Sequence, residues 1–372
     1  MRAKFFFINK TLQGILMQLN KIPATIVTGF LGSGKTTLLS SLIKNAGDKR
    51  IAVIVNEFGE LDIDADLLRQ CPLECEEDNA LANDGIYELA NGCICCTVEE
   101  EFLPVMQKLV ERRDQIDHIL IETSGLALPK PLVQAFNWPD VKAYCTVDAV
   151  ITLIDGKAVA EGRFAHDEAA VQQQRLADEN LDHDPSLQEL LDDQLSAADL
   201  VIVSKSDLLS EPEKKSVKSR ITQKVPSAVK TLYIDYGDAP LSLVMGIEAA
   251  SEQAIESVHT HHDHHHDHGE HHTHAHDHFD SFVIQLGFVD DQRLQQAIEG
   301  IVEQYPVFRI KGFAALKDKP MRRVYQVVGK RVVCHFDRLW QSNETPKTQL
   351  VVIGKGINEA EIKGHLALAE IH

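Results

Sequence analysis

"TGFLGSGKTT", residues 28–37, is the stretch on which the fold turns. It closes the apolar, β-branched run "ATIVTGF" and opens "KTTLLSSLIKNA", where Leu38, Leu39, Leu42 and Ile43 recur at the spacing of one helix face. A strand, a glycine-rich turn and a helix are therefore expected in immediate succession. From Gly29 through Gly34, Lys35 and Thr36 the turn matches G-x-x-x-x-G-K-[ST], in the structural context that this pattern needs. Gly29, Gly32, Ser33 and Gly34 let the backbone curl until its N–H groups face phosphate oxygens, and the helix start at Thr36 and Thr37 adds positive potential. Lys35 then bridges the terminal phosphates and Thr36 ligates Mg²⁺.

Working outward, "IAVIVNEF", "HILIETSG", "AVITLIDG" and "DLVIVSKSD" are further apolar runs closed by polar or glycine residues. Such runs read as strands buried on both faces of a mostly parallel sheet. Alternating with helical stretches, they predict a doubly wound α/β P-loop NTPase domain over residues 22–250. Residues 251–278 hold twelve of the eighteen histidines, interleaved with acids, and read as a disordered linker that cannot form a core. "SFVIQLGFV", an amphipathic helix carrying Leu294, Ile298, Ile301, Val302 and Tyr305, and the strand-like "RVYQVVGKRVVCHF" and "TQLVVIGKG" predict a smaller α+β domain over residues 279–372.

Composition bounds the function. The chain has 372 residues, with 56 acids against 37 bases and a formal net charge of -19. That balance argues against nucleic acid or an anionic membrane as partner, because both need clustered Lys and Arg. No apolar run approaches the roughly 18–20 residues of a membrane span. Residues 1–21 read as an N-terminal extension rather than a signal peptide, with Met17 as an alternative start. Seven unevenly spaced cysteines indicate reduced thiols and a cytoplasmic protein.

Beyond the phosphate loop, "ILIETSGLA" supplies Glu122, a candidate catalytic, water-positioning or Mg²⁺-binding carboxylate, and Gly125, whose N–H is placed to meet a γ-phosphate. In "SKSD", Lys205 can lie along a purine plane, while Asp207 can accept two hydrogen bonds from guanine, a donor pair that adenine lacks. GTP is thus the expected nucleotide, although Ser204 stands where the usual motif has Asn.

"ELANGCICCTVEEE" packs Cys93, Cys95 and Cys96 within four residues. Thiols so close are badly placed for internal disulfides, but they can converge on one soft or borderline cation. Cys71 and Cys75 read as loop thiols, and Cys145 and Cys334 as core. Glu57, after the second strand, stands either as a ligand to the cysteine-bound metal or to Mg²⁺, or as a solvent-facing turn acid. His261, His262, His264, His265 and His266 centre a tract of imidazoles suited to weak, fast-exchanging Co²⁺, Ni²⁺ or Zn²⁺. With about 26 residues, the tract spans roughly 25–30 Å.

Together "TGFLGSGKTTLL", "NEFGE", "ELANGCICCTV", "ETSGLALPKPLVQAF" and "DLVIVSKSDLL" resemble the CobW family of metal-chaperone GTPases, and the resemblance covers nearly everything after residue 22. It implies GTP hydrolysis coupled to metal release from Cys93, Cys95 and Cys96, with Co²⁺ as cargo and a cobaltochelatase as recipient. It also implies a nucleotide-dependent homodimer. The nearest rival shares every motif but carries Zn²⁺ to a client enzyme. A further rival is a metal buffer whose histidine tract stores ions.

Overall fold

The computed structural model describes residues 21–56, 86–89, 102–177, 186–246, 279–341 and 344–371. Among the described residues two compact units emerge, one within residues 22–246 together with Val328–Arg331, the other within 279–327 and 332–371.

The first unit is built on seven strands: β1 (Ile22–Thr28), β2 (Ile51–Asn56), β3 (Ile86–Leu89), β4 (His118–Glu122), β5 (Cys145–Asp155), β6 (Leu200–Ser204) and β7 (Lys230–Tyr233). Their order is β3-β2-β4-β1-β5-β6-β7, and every pairing is parallel. All residues of β4, β5 and β6 are buried, as expected of strands covered on both faces. The chain leaves β1 toward β2 and β3 on one side and reaches β5, β6 and β7 on the other. A crevice therefore opens at the carboxyl ends of the central strands, where open α/β sheets bind ligands.

Apolar packing fixes this layer. Ile26 of β1, Ile54 of β2 and Ile121 of β4 form one cluster with Met106 and Leu109 of the helix Leu103–Glu111 and with Phe102, which caps it. On the other side Val201 and Val203 of β6 pack with Val217 and Ile221 of the helix Glu211–Thr222. The predicted helix after the phosphate loop runs Lys35–Lys44 and buries Leu38, Leu39 and Leu42.

The second unit contains β8 (Asp280–Leu286), β9 (Phe288–Val289), β10 (Val307–Leu316), β11 (Met321–Val328), β12 (Arg331–Leu339) and β13 (Thr348–Gly354). The order is β12-β11-β10-β13-β8, with β13 antiparallel to both β10 and β8 and β9 parallel to β10. The amphipathic helix Asp291–Gln304 buries Leu294, Ile298, Ile301 and Val302; Tyr305, expected on the same face, instead ends it and its hydroxyl meets His365 Nε2 at 2.9 Å. "RVYQVVGKRVVCHF" is two strands, because Gly329 turns the chain at φ +52°. Cys334 also departs from expectation: it lies on β12 at intermediate burial, with Arg323 donating to its sulfur at 3.0 Å, whereas Cys145 is buried as expected. Among the described residues, no helix is long and apolar enough to cross a membrane.

One buried ion pair pins this sheet. The Arg322 guanidinium donates to both oxygens of Asp337, both side chains almost wholly buried, and lies over the Phe313 ring at 4.6 Å from its centroid. Removing one partner strands a charge in the interior. Asp337→Ala is expected to destabilise the protein by about 3–5 kcal/mol, measured by urea unfolding, with Arg322→Met in the Asp337→Ala background regaining part of the loss.

Candidate nucleotide site

The strand ends deliver the predicted residues to one place. β1 runs directly into the glycine-rich loop, in which Gly29, Gly32 and Gly34 all adopt left-handed or positive φ, at +140°, +74° and +97°. At Gly29 the constraint is also one of space, since an added Cβ would lie 2.3 Å from the Leu153 carbonyl oxygen of β5. Ser33 N–H donates to Phe30 C=O at 3.1 Å, and Gly34 precedes the helix as its cap.

Lys35 does not extend into solvent. Its Nζ donates to the carbonyls of Gly29 at 2.8 Å and Phe30 at 3.3 Å, so the loop folds over its own lysine. Burial pushes the ammonium's pKa down, while the nearby Glu122 carboxylate pulls it partly back. Glu122 ends β4 beside Val27 of β1 and is 3% exposed, so its carboxylate faces the interior and not solvent. Burial raises its pKa, opposed by Lys35 and by the Thr36 hydroxyl, which approaches Oε1 at 3.5 Å. Glu122 Oε2, Thr28 Oγ1 and Ser33 Oγ are buried and have no hydrogen-bond partner among the described residues. Three orphaned polar atoms around one buried ammonium suit a ligand rich in oxygen and negative charge, accompanied by a cation.

The group fits Mg²⁺ by the same observations. Thr36 Oγ1 and Glu122 are hard oxygen ligands within reach of each other, and a divalent ion there would stabilise the carboxylate that burial disfavours.

After β4 the loop 123–128 is tied down by Thr123 N–H to Val27 C=O at 3.0 Å and closed by Ala127 N–H to Ser124 C=O at 3.2 Å. The Gly125 carbonyl accepts from the Gln194 side chain at 3.0 Å. On the far side β6 ends in "SKSD". Ser204 Oγ donates to Ser33 C=O at 2.6 Å and also lies 3.2 Å from Ile154 C=O, binding the β6 end to the phosphate loop. That contact is a physical reason for serine at this position: a small hydroxyl reaches the loop carbonyl directly. Asp207 is exposed, whereas Lys205, at φ +55°, pairs with buried Asp155 at 2.5 Å.

Sequence reasoning assigned no role to Asp155, although an acid closing an apolar run was the same signal that singled out Glu122. It also passed over the turn after β7, where Asp235 accepts from Ser206 Oγ at 2.5 Å and Gly237 packs against the Thr37 backbone. Its signal was the short D-x-G turn "DYG" after an apolar run too brief to stand out.

Glu57, Cys93, Cys95 and Cys96, the loop thiols Cys71 and Cys75, and His261, His262, His264, His265 and His266 lie outside the described residues. Among the described residues no cluster of three His, Cys, Asp or Glu side chains could hold a metal ion.

A glycine loop between a central parallel strand and a helix, closing over a lysine beside a buried carboxylate, defines a nucleotide-binding protein of the P-loop class. Residues 23–232 match the family model described as CobW/HypB/UreG, nucleotide-binding domain, and residues 279–370 match the Cobalamin synthesis protein cobW C-terminal domain. The chain belongs to the CobW/HypB/UreG family. It is 52% identical over 96% of its length to a protein of Pseudomonas aeruginosa named "Zinc chaperone CobW", covering 94% of that protein. A Sinorhizobium protein of the same name is 44% identical over 92% of the chain and 96% of its own length. The "Zinc-regulated GTPase metalloprotein activator 1" of Schizosaccharomyces pombe is 34% identical over 59% of the chain and 47% of that protein.

If the Ser204 tie organises the loop, Ser204→Ala should weaken GDP binding roughly fivefold, the loss of a hydrogen bond worth about 1 kcal/mol. Fluorescent-nucleotide titration measures this, and Ser204→Thr, which keeps the hydroxyl, should lose less.

Proposed function

We propose that the protein is a GTP-dependent metallochaperone that carries Zn²⁺ to a client metalloprotein. The observation that carries the nucleotide half of this reading is the buried Lys35–Thr36–Glu122 group with its unsatisfied Glu122 oxygen. Lys35 would neutralise the terminal phosphates, Gly125 N–H would meet the γ-phosphate, and Glu122 would orient the attacking water or hold Mg²⁺ beside Thr36. Magnesium, when bound, would supply charge neutralisation between the β- and γ-phosphates. Exposed Asp207 supports guanine as the base, and the name of the yeast relative supports GTP.

Cargo is the metal half. Cys93, Cys95 and Cys96 offer three thiolates, a donor set for Zn²⁺ as well as for Co²⁺, and soft thiolate ligands are the kind that selects Zn²⁺. Two close relatives named as zinc chaperones favour zinc. Cobalt delivery to a cobaltochelatase, expected from the family resemblance, stands behind it as the second reading, supported by the name of the C-terminal domain. On either reading, hydrolysis loosens the cysteine site and releases the ion, and the histidine tract gathers metal beforehand. A nucleotide-dependent homodimer, acting in the cytoplasm, belongs to the same proposal.

Competitive Zn²⁺ and Co²⁺ titration of protein lacking residues 259–278, with Mg²⁺ and either GDP or a non-hydrolysable GTP analogue, tests it. The analogue is expected to tighten metal binding by about a hundredfold, equivalent to about 2.7 kcal/mol of coupling, and Cys95→Ser to abolish the gain. Metal affinity indifferent to both nucleotide and Cys95 would favour a histidine-tract buffer instead. In parallel, Glu122→Gln is expected to retain GDP but lose about 10²-fold or more in hydrolysis, the scale on which removing one transition-state contact acts; multiple-turnover phosphate release measures it.

A further inference from the structure

We infer that Gln194 is the positioning residue for the loop after β4, and that it sets how strongly the site prefers a nucleoside triphosphate over the diphosphate. The inference rests on the nucleotide reading above and assigns a function to a residue that lies outside every motif.

Gln194 lies on the helix Leu187–Ala197 and is wholly buried. Both hydrogens of its side-chain amide are used on the same loop: Nε2 donates to Gly125 C=O at 3.0 Å and to Ala127 C=O at 3.2 Å. Pinning two carbonyls two residues apart fixes the Gly125–Leu126 and Ala127–Leu128 peptide planes. The Gly125 N–H lies one plane further back, in the Ser124–Gly125 peptide, whose carbonyl accepts from the Ala127 N–H at 3.2 Å, so Gln194, by holding Gly125 and Ala127, braces the turn that aims it. The Gly125 N–H has no hydrogen-bond partner among the described residues.

The reference point itself is rigid. The Thr152 hydroxyl, on β5, donates to the Gln194 backbone carbonyl at 2.9 Å, so side chain and main chain are both anchored. One turn before Gln194, Leu190 packs in a cluster with Phe30 of the phosphate loop and Leu126 of the pinned loop, joined by Ala165 and Val171. The helix thus holds both loops that border the phosphate end of the site.

A purely structural glutamine is the competing explanation, and the amide's own energetics count against it. Gln194 Oε1 is buried with no partner among the described residues. A half-satisfied amide costs more in a core than an apolar side chain of similar volume. Its two donated bonds both go to the loop, so positioning that loop is the return for the unpaired oxygen. Phosphate contacts further back, through the glycine loop and Lys35, do not involve Gln194, so a diphosphate should be held almost independently of it.

The test compares wild type, Gln194→Met and Gln194→Asn in the full chain, titrating fluorescent GDP and fluorescent guanosine 5′-(β,γ-imido)triphosphate with Mg²⁺. Methionine keeps the volume without the donors, and asparagine keeps the amide but is one carbon too short to reach both carbonyls. The expected result is GDP affinity within about twofold of wild type and triphosphate affinity about tenfold weaker in both variants, the scale of two lost neutral hydrogen bonds. Equal losses for both nucleotides, or no loss in a variant that melts within a few degrees of wild type, would overturn the inference. Should one variant fail to fold, the other decides. A wild type that binds neither nucleotide overturns the nucleotide reading first and this inference with it.

Discussion

A lysine ammonium and a glutamate carboxylate are costly to bury in an apolar interior unless something compensates them, and the fold buries one of each, the glutamate at the end of β4 and the lysine at the start of the helix that follows β1. Lys35 is held by the carbonyls of Gly29 and Phe30, which converge on it because the loop turns through positive φ at Gly29, Gly32 and Gly34. Glycine at position 29 is in turn demanded by β5, whose Leu153 carbonyl leaves no room for a Cβ. The Lys35–Glu122 attraction repays only part of the burial, since the lysine still titrates low and the glutamate high. The remainder is what an anionic ligand and a cation would supply. Strand order, loop conformation and ligand chemistry are therefore one electrostatic problem seen at three scales.

Much of this was legible in the sequence because the signals were local. The phosphate loop, the five long apolar runs and the face of the helix after Lys35 each depend on neighbours within a dozen residues, and each appears where the pattern put it. β3 and β7, four residues each, were not anticipated, because runs so short carry no periodicity of their own and are made strands by the sheet beside them. Cys334 misled for a related reason: an apolar alternation reads the same on an edge strand such as β12 as in the centre of a sheet.

What sequence could not yield is partnership across distance. Asp155 and Lys205 are 50 positions apart, Ser206 and Asp235 are 29 apart, and Gln194 reaches a carbonyl 69 positions away. None of these pairings follows from a recognisable spacing; only strands ending at a common edge bring the partners together. Gln194 in particular resembles any polar residue on an amphipathic helix until its burial is known.

The same edge ties the glycine loop to the strand end that carries Lys205 and Asp207. Ser204 donates its hydroxyl to the phosphate loop, while the next residue, Lys205, is drawn onto Asp155 at the end of β5. The turn after β7 completes the bracket: Asp235 holds Ser206, and two residues later Gly237 packs on Thr37 at the start of the phosphate-loop helix. Two short paths thus link the phosphate loop to the residues flanking Asp207, one through Ser204 and one through the Gly237 turn. Because Asp207 itself is exposed, its orientation depends on those flanking contacts rather than on its own packing. The glycine loop and the end of β6 that carries Asp207 are therefore one tied unit, held by a hydroxyl-to-carbonyl bond on one side and a glycine packed against backbone on the other.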